Sequence, residues 1–520
     1  MSTLFRPGPL HRPGRLRRWG ALAVALVTAA GLTACSPSSS STSSAQSITL
    51  AAFPNGNSLD PWGSQVSNYT QQATYDTLTR LKTDGTIGPW LATSWQYTDT
   101  KTLVLKLRSG VKFTDGTVFD ASAVKANLEY GKKANPKNMG SAAFVGDIDS
   151  VTVVDSSTVK INLIDANPDM PWAFSQQAGW MVSPKALASP ASLTFGAVGT
   201  GPYVFDKAAS VAQQTYTFTK NPSYWADAEA KRFDQVTIKI MGDPNAMANA
   251  ARTGAVDFLI TPDPTVKVAN FTKSYGSAVT TAGLVIEDLQ GKLTKGLGDV
   301  RVRQALNYAI DRQSILKNVL HGAGVVNASV PFSASSDGYT SAIEDYYTYD
   351  PAKAKQLLAD AGYATGLSLN ILINAQFATL AQAIAGYLRT VGVKVTLSAH
   401  STDITEQTQS GKWAIASIQT GVNGQPFSDI TNLMTDVSIF NPQRHNDSTI
   451  KRYLQQAAAT TSAAAKTKVY TELGTYAASQ AWFITPVLLK TGYAYNGKKI
   501  VVNIQKGVNA PDLYTLSPAA

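Results

Sequence analysis

Residues 36–520 contain no cysteine; the single thiol of the chain, Cys35, stands at the end of an apolar run. A body without thiols can form no disulfide and no multi-cysteine zinc or iron–sulfur site. Its stability must come from apolar burial, and 44% hydrophobic residues over 520 positions supply the material. That excludes a disordered chain and a small stapled scaffold. At about 100–200 residues per domain, the length predicts two to four domains.

All charge in residues 1–34 is positive: Arg6, Arg12, Arg15, Arg17 and Arg18. An apolar stretch from Trp19 to Leu32 follows, closing on Leu32-Thr33-Ala34-Cys35. It is shorter than the roughly 20 residues a membrane span needs, and the arrangement is that of a secretory signal peptide over 1–34. Leu-Thr-Ala-Cys resembles the bacterial lipobox, which implies acylation of Cys35 as the lipid attachment point. Arg17-Arg18 leaves export by the general or the twin-arginine route open. Residues 35–47 then read as a tether, with eight serines in the twelve positions 36–47. The formal net charge of the whole chain is +10; the five leader arginines account for half, leaving 40 basic against 35 acidic residues. Nothing in the body forms a basic block, so nucleic acid is not expected as a partner.

The body reads as mixed α/β. Leu103, Leu105 and Leu107 alternate in a half-buried strand, and Asp120, after the Asp115-Gly116 turn, caps a helix carrying Val124 and Leu128. Residues 367–373, a helix with Leu380, Ile384 and Leu388, and a strand at Val393–Leu397 form a strand–helix–strand unit, which predicts a parallel pair. Asp299 starts a helix running towards Gly322, with Asp311-Arg312 as a local ion pair within it. Asp350-Pro351 starts another helix that stops at Gly362. Asn496-Gly497 predicts a tight hairpin between Tyr493/Tyr495 and Ile500/Val502.

Several segments together resemble the peptide/nickel-type solute-binding proteins of ATP-driven importers, family 5 of the bacterial extracellular solute-binding proteins. They are Pro89–Trp95 with residues 103–129 (LVLKLRSGVKFTDGTVFDASAVKANLE), Gly199–Tyr203, Asn221–Trp225, Gly254–Asp257, Val300–Leu306 with Ala309–Arg312, and Tyr349–Tyr363. The resemblance implies a two-lobed, periplasmic-binding-protein-like (type II) α/β fold with an extra inserted subdomain. Lobe I would take 48–283 plus 495–520, with the insertion at about 84–198, and lobe II 284–494. It also implies a monomeric receptor on the extracytoplasmic face of the cell membrane, delivering an oligopeptide-like or similar small solute to an ABC permease and its ATPase, without catalysis and without a cofactor.

Phe113, Phe119, Trp95 and Trp225 read as core residues. The ligand-binding candidates are polar loop residues and aromatics near the expected lobe interface: Phe53, Asn55 and Asn57 after the first strand, Trp180, and Gln419, Asn423, Gln425 and Phe427. Peptide-binding members of the family carry an aspartate before a proline in the last segment, pairing with the peptide amine. Here Gln425 precedes Pro426, and the nearest acid, Asp429, lies four residues on. A buried ammonium without a carboxylate is costly, so this spacing predicts a neutral, amide- or hydroxyl-rich solute such as a modified oligopeptide or an oligosaccharide.

The histidines of the body, His321, His400 and His445, are scattered singly, which speaks against a transition-metal site and leaves His445 as the one to watch for a metal–chelate ligand. No nucleophile motif or phosphate loop is present. A lipid-anchored hydrolase and a ligand-sensing surface receptor on the same fold are the alternatives.

Overall fold

Two long strands, Thr272–Ile286 and Phe483–Tyr495, run antiparallel through the middle of the largest sheet. In the computed structural model the described residues are 46–520 without 64–66, 135–139, 227–231, 262–267, 328–331, 402 and 520. The leader, Cys35 and the tether up to residue 45 lie outside them. Ser47, placed in the tether by its composition, already belongs to the first strand, Ser47–Ala52.

The large sheet has eleven strands, and the central pair has different neighbours at its two ends. At one end Phe258–Thr261 pairs with residues 492–495, followed outward by Ser47–Ala52, Gln235–Ile240, Thr215–Lys220 and Tyr203–Val211. At the other end Ile415–Gly421 pairs with residues 280–286, followed by Leu367–Asn374 and Val393–His400. Between the ends the register slips at Tyr275–Ala278 and again at Ala278–Thr280. A strand that loses register bends there, so the central pair is continuous in sequence and jointed in geometry.

The cores separate along the same line. One cluster of buried side chains runs from Ala282 to Ile484 in sequence. A second draws on Ile48, Phe218, Phe258 and Tyr493 through Leu516, joining the two ends of the described chain. A third fills the space between an antiparallel sheet (Ala92–Asp99, Thr102–Leu107, Thr158–Leu163, Ile148–Asp155) and the helix Ala121–Ala134. In that sheet Leu103 and Leu105 are fully buried, as their alternation requires.

The strand–helix–strand unit forms: Leu367–Asn374 and Val393–His400 are parallel, and Ala378–Thr390 covers them with Leu380, Ile384 and Leu388. Asp120, Asp299 and Asp350 all cap helix starts with their carboxylates. Phe113 and Phe119 are core residues, while Trp95 and Trp225 are half-buried at its edge.

Three local expectations are corrected. The helix from Asp299 ends at Tyr308, and Asp311 caps a separate helix, Arg312–Asn318. Arg312 is therefore not ion-paired with Asp311; it is buried and donates to the carbonyls of Asn327 (2.9 Å), Asn307 (3.0 Å) and Tyr347 (3.3 Å) and to Asn307 Oδ1 (2.8 Å). The Asn496-Gly497 hairpin does not form: Ile500–Val502 pairs with Leu516–Pro518, and Tyr493–Tyr495 pairs with Phe258–Ile260. Turn propensity was right about the reversal, but the more extensive apolar partner won the strand edge.

Candidate functional site

The helix Pro426–Met434 begins with a proline at its first turn, which needs no N–H there. One helical turn on, Asp429 points back over the chain that leads in. Its Oδ1 accepts the N–H of Asn423 (3.0 Å) and its Oδ2 that of Gln425 (3.2 Å), closing the turn at Gly424 (φ +75°). The loop that sequence spacing left without an acid thus holds one. The premise of the neutral-solute expectation is overturned: separation by four residues is remoteness in a strand but adjacency in a helix.

Beside Asp429, Ser428 reaches a residue of the distant third core region. Asp169 Oδ2 accepts both the N–H (3.0 Å) and the hydroxyl (2.6 Å) of Ser428. Asp169 precedes the short helix Met170–Ala173 and makes no cap bond to it, so its carboxylate is spent across the interface. Its Oδ1 accepts no hydrogen bond among the described residues. Burial pushes the Asp169 carboxyl up, against the Ser428 donors and the charge of Lys466. Burial pushes Asp429 well up too, with Asp169 adding to the shift against the backbone donors. The result is a buried pair of acids at the contact between two parts of the molecule, with no ion pair to either among the described residues. Such a place favours a proton or a cation and rejects anions.

The loop after the first strand docks onto the third core region. Asp60 Oδ2 accepts the Tyr130 hydroxyl (2.7 Å), its Oδ1 holds the Trp62 N–H (2.9 Å), and Gln177 donates to the Pro61 carbonyl (2.8 Å).

The residues expected to contact solute divide into two groups. Asn55, Asn57, Gln419 and Asn423 are exposed, and Gln425 is half-buried. Asn423 and Gln425 share the Asp429 turn, at the end of the strand that carries Gln419. The three aromatics pack inward. Phe53, partly buried, packs against the cluster of Ala51, Met247 and Leu259, Trp180 is buried with Tyr75, Val182 and Leu187, and Phe427 joins the core of the 282–484 cluster. Apolar burial took these rings where the sequence suggested ligand faces. Sequence reasoning missed Asp169 and Ser428. Asp169 before a proline-bearing helix start looks like an ordinary cap, and nothing local marks its partner.

His445 packs its ring on Trp482 at 5.3 Å, and His400 pairs with Asp403 at 3.0 Å. Among the described residues no three His, Cys, Asp or Glu side chains are placed to hold a metal.

Two α/β lobes joined through a jointed pair of strands, with a further antiparallel subdomain and polar groups meeting between them, define a type II periplasmic-binding-protein-like receptor. Residues 86–440 match the profile of the bacterial extracellular solute-binding proteins, family 5 (middle region). The chain belongs to this family, whose members are extracytoplasmic solute-binding proteins of ABC importers. It is 31% identical over 372 residues to the glutathione-binding protein GsiB of Salmonella paratyphi A, covering 68% of this chain and 70% of that one. Against GsiB of Shigella dysenteriae serotype 1 it is 27% identical over 494 residues, covering 88% and 90%. Among solved structures the fold matches NikA from Brucella suis in complex with Fe(III)-EDTA (TM-score 0.78, 23% identity, 91% of this chain and 100% of that chain). It also matches DppA from Helicobacter pylori in complex with the peptide STSA (TM-score 0.73, 21% identity, 91% and 98%).

Proposed function

We propose that this chain is a lipid-anchored, monomeric receptor on the extracytoplasmic face of the membrane that binds an oligopeptide-like solute with a free ammonium group between its lobes and hands it to an ABC import permease. The observation that carries the solute class is the buried acid pair, Asp169 and Asp429, with the free Oδ1 of Asp169 beside it. An ammonium placed there brings a cation to the acid pair; a neutral sugar brings none. That relatives bind glutathione and a tetrapeptide agrees with this reading.

Asn55, Asn57, Gln419, Asn423 and Gln425 supply the amide groups around the solute backbone, and Phe53, Trp180 and Phe427 shape the walls from behind. Lobe I spans 48–283 and 495–520 with the 84–198 insertion, and lobe II spans 284–494. The separation of the cores agrees with two lobes, and we assign the joint between them to the register slip at Tyr275–Ala278. Solute touching both lobes favours the closed form by population shift. The lipobox-like Leu32–Cys35 supports anchoring through Cys35.

Isothermal titration with reduced glutathione, the tetrapeptide Ser-Thr-Ser-Ala, its N-acetylated form and maltotriose tests the reading. A peptide with a free amine should bind, and acetylation or Asp429→Asn should weaken it about 100-fold, the size of a lost buried charge pair. Tight binding of maltotriose, or indifference to acetylation, would sink the ammonium assignment.

A further inference from the structure

Away from the Asp169–Ser428 contact, a cavity of about 550 Å³ opens between the hairpin strands Thr79–Leu81 and Ile87–Pro89 and the C-terminal segment from Asn503 to Ser517. Among the described residues its lining includes three cations, Arg80, Lys82 and Arg232, and no Asp or Glu. Arg80 is clamped between two rings, 4.0 Å from the centre of Trp90 and 4.3 Å from that of Tyr514. Both rings are fixed at their polar ends: Trp90 Nε1 donates to Asp76 (2.8 Å) and the Tyr514 hydroxyl donates to the Tyr75 carbonyl (2.7 Å).

Ring faces hold the cation but take none of its N–H donors, which lie in the guanidinium plane. The Arg80 guanidinium makes no hydrogen bond and no ion pair among the described residues. The neighbouring acids are already engaged. Asp76 accepts from Trp90, Trp225, Tyr224 and Thr200, and Asp512 from Gln72 and Gln505. Gln505, which lines the cavity, is 4% exposed, and its Oε1 is buried with no hydrogen-bond partner among the described residues. A preset planar fork with spare donors, an exposed second cation and one orphan acceptor describe a receptor for an oxyanion that also carries a donor.

The cavity also lies near the start of the described chain. Asp234, two residues from Arg232, binds the N–H of Gln46 (2.8 Å) and donates its own N–H to the Gln46 carbonyl (2.8 Å). Cys35 is eleven residues before Gln46, a contour of at most about 40 Å. A lipid headgroup is one source of such an oxyanion, and a soluble phosphate-bearing molecule is the other.

We propose that this cavity is a second ligand site, distinct from the interlobe site, for a phosphate or carboxylate group on a polar headgroup that donates a hydrogen bond to Gln505 Oε1. Binding of inorganic phosphate and of glycerol 3-phosphate is measured by equilibrium dialysis on the full chain. Pelleting with phosphatidylglycerol vesicles, against phosphatidylcholine vesicles as baseline, uses the full chain carrying Cys35→Ser, so that no acyl anchor contributes. Binding by glycerol 3-phosphate alone identifies a soluble ligand, and binding to the anionic vesicles alone identifies a lipid headgroup; either supports the site. Arg80→Gln should weaken binding about tenfold, the cost of a lost bidentate charge-assisted contact. It should leave peptide binding between the lobes unchanged. If Arg80→Gln does not fold, Lys82→Glu on an exposed side chain decides, and must weaken binding at least about threefold by reversing a nearby charge. Absence of binding to every probe, or binding undiminished in the folded variants, overturns the proposal.

Discussion

Asp169 holds Ser428 by two hydrogen bonds to one carboxylate oxygen, across 259 residues of chain. The bond joins the region between the inserted sheet and lobe II directly, and it is charge-assisted, so it is worth about 1.5–3 kcal/mol. Ser428→Ala removes the 2.6 Å hydroxyl bond and keeps the backbone one. The closed form should lose about 1.4 kcal/mol, so solute should bind about tenfold more weakly by titration. Small-angle scattering of the solute-free variant should show a larger radius of gyration. An unchanged radius and affinity would make the contact incidental to closure.

Glu287 is completely buried, and neither of its oxygens has a hydrogen-bond partner among the described residues. Burial pushes its carboxyl up to about 9. In the unfolded chain a glutamate releases its proton near pH 4.3, so between those values the folded state binds the extra proton. Stability should therefore fall as pH rises from about 4.3 towards 9, by about 4 kcal/mol at pH 7. Glu287→Gln should flatten that dependence and raise the melting temperature at pH 8 more than at pH 5. Calorimetry across the range checks the sign, and an equal shift at both pH values contradicts it.

Arg312 is a buried cation held by carbonyls rather than by an acid, and burial pulls it down to about 10, still protonated at neutral pH. Arg312→Met fills similar space but leaves the Asn307, Asn327 and Tyr347 acceptors unpaired. The urea midpoint should drop by an amount equivalent to about 3 kcal/mol. Solute affinity in the folded fraction should be retained.

Gly276 sits in the register slip of the central strands, where an added Cβ would lie 2.0 Å from the Asn509 carbonyl oxygen. The 507–509 segment is bonded there through Ser277 N–H to the Val508 carbonyl (2.7 Å) and Gly507 N–H to Ser277 Oγ (3.0 Å). Gly276→Ala must push that segment off the joint, at a cost of about 1–3 kcal/mol. Thermal melting should fall, and the rate of solute-induced Trp fluorescence change should alter. A wild-type melt and rate would show the joint lies elsewhere.

Legibility followed range. Helix starts at Asp120, Asp299 and Asp350 were readable because a cap acts within three residues. The Leu367–Val395 unit was readable because apolar period and turn residues sit together in sequence. The break at Asp311 was missed because a continuous apolar stripe hides a short interruption, and only the carbonyl cage around Arg312 reveals why the chain turns there. Sequence points to Gln425 as the site's polar group because the alternation of residues does not show a helix folding Asp429 back.

The sequence alone carried the family resemblance, the α/β class and the absence of thiols after Cys35, all of which depend on local patterns and counts. Tertiary structure decided which acids meet and which aromatics sink into a core. It also decided that Arg80 stands between two rings with its donors unpaired among the described residues. Hydrogen bonds and burial between residues hundreds of positions apart leave no trace in local spacing, since their energy exists only once the chain has closed its loops.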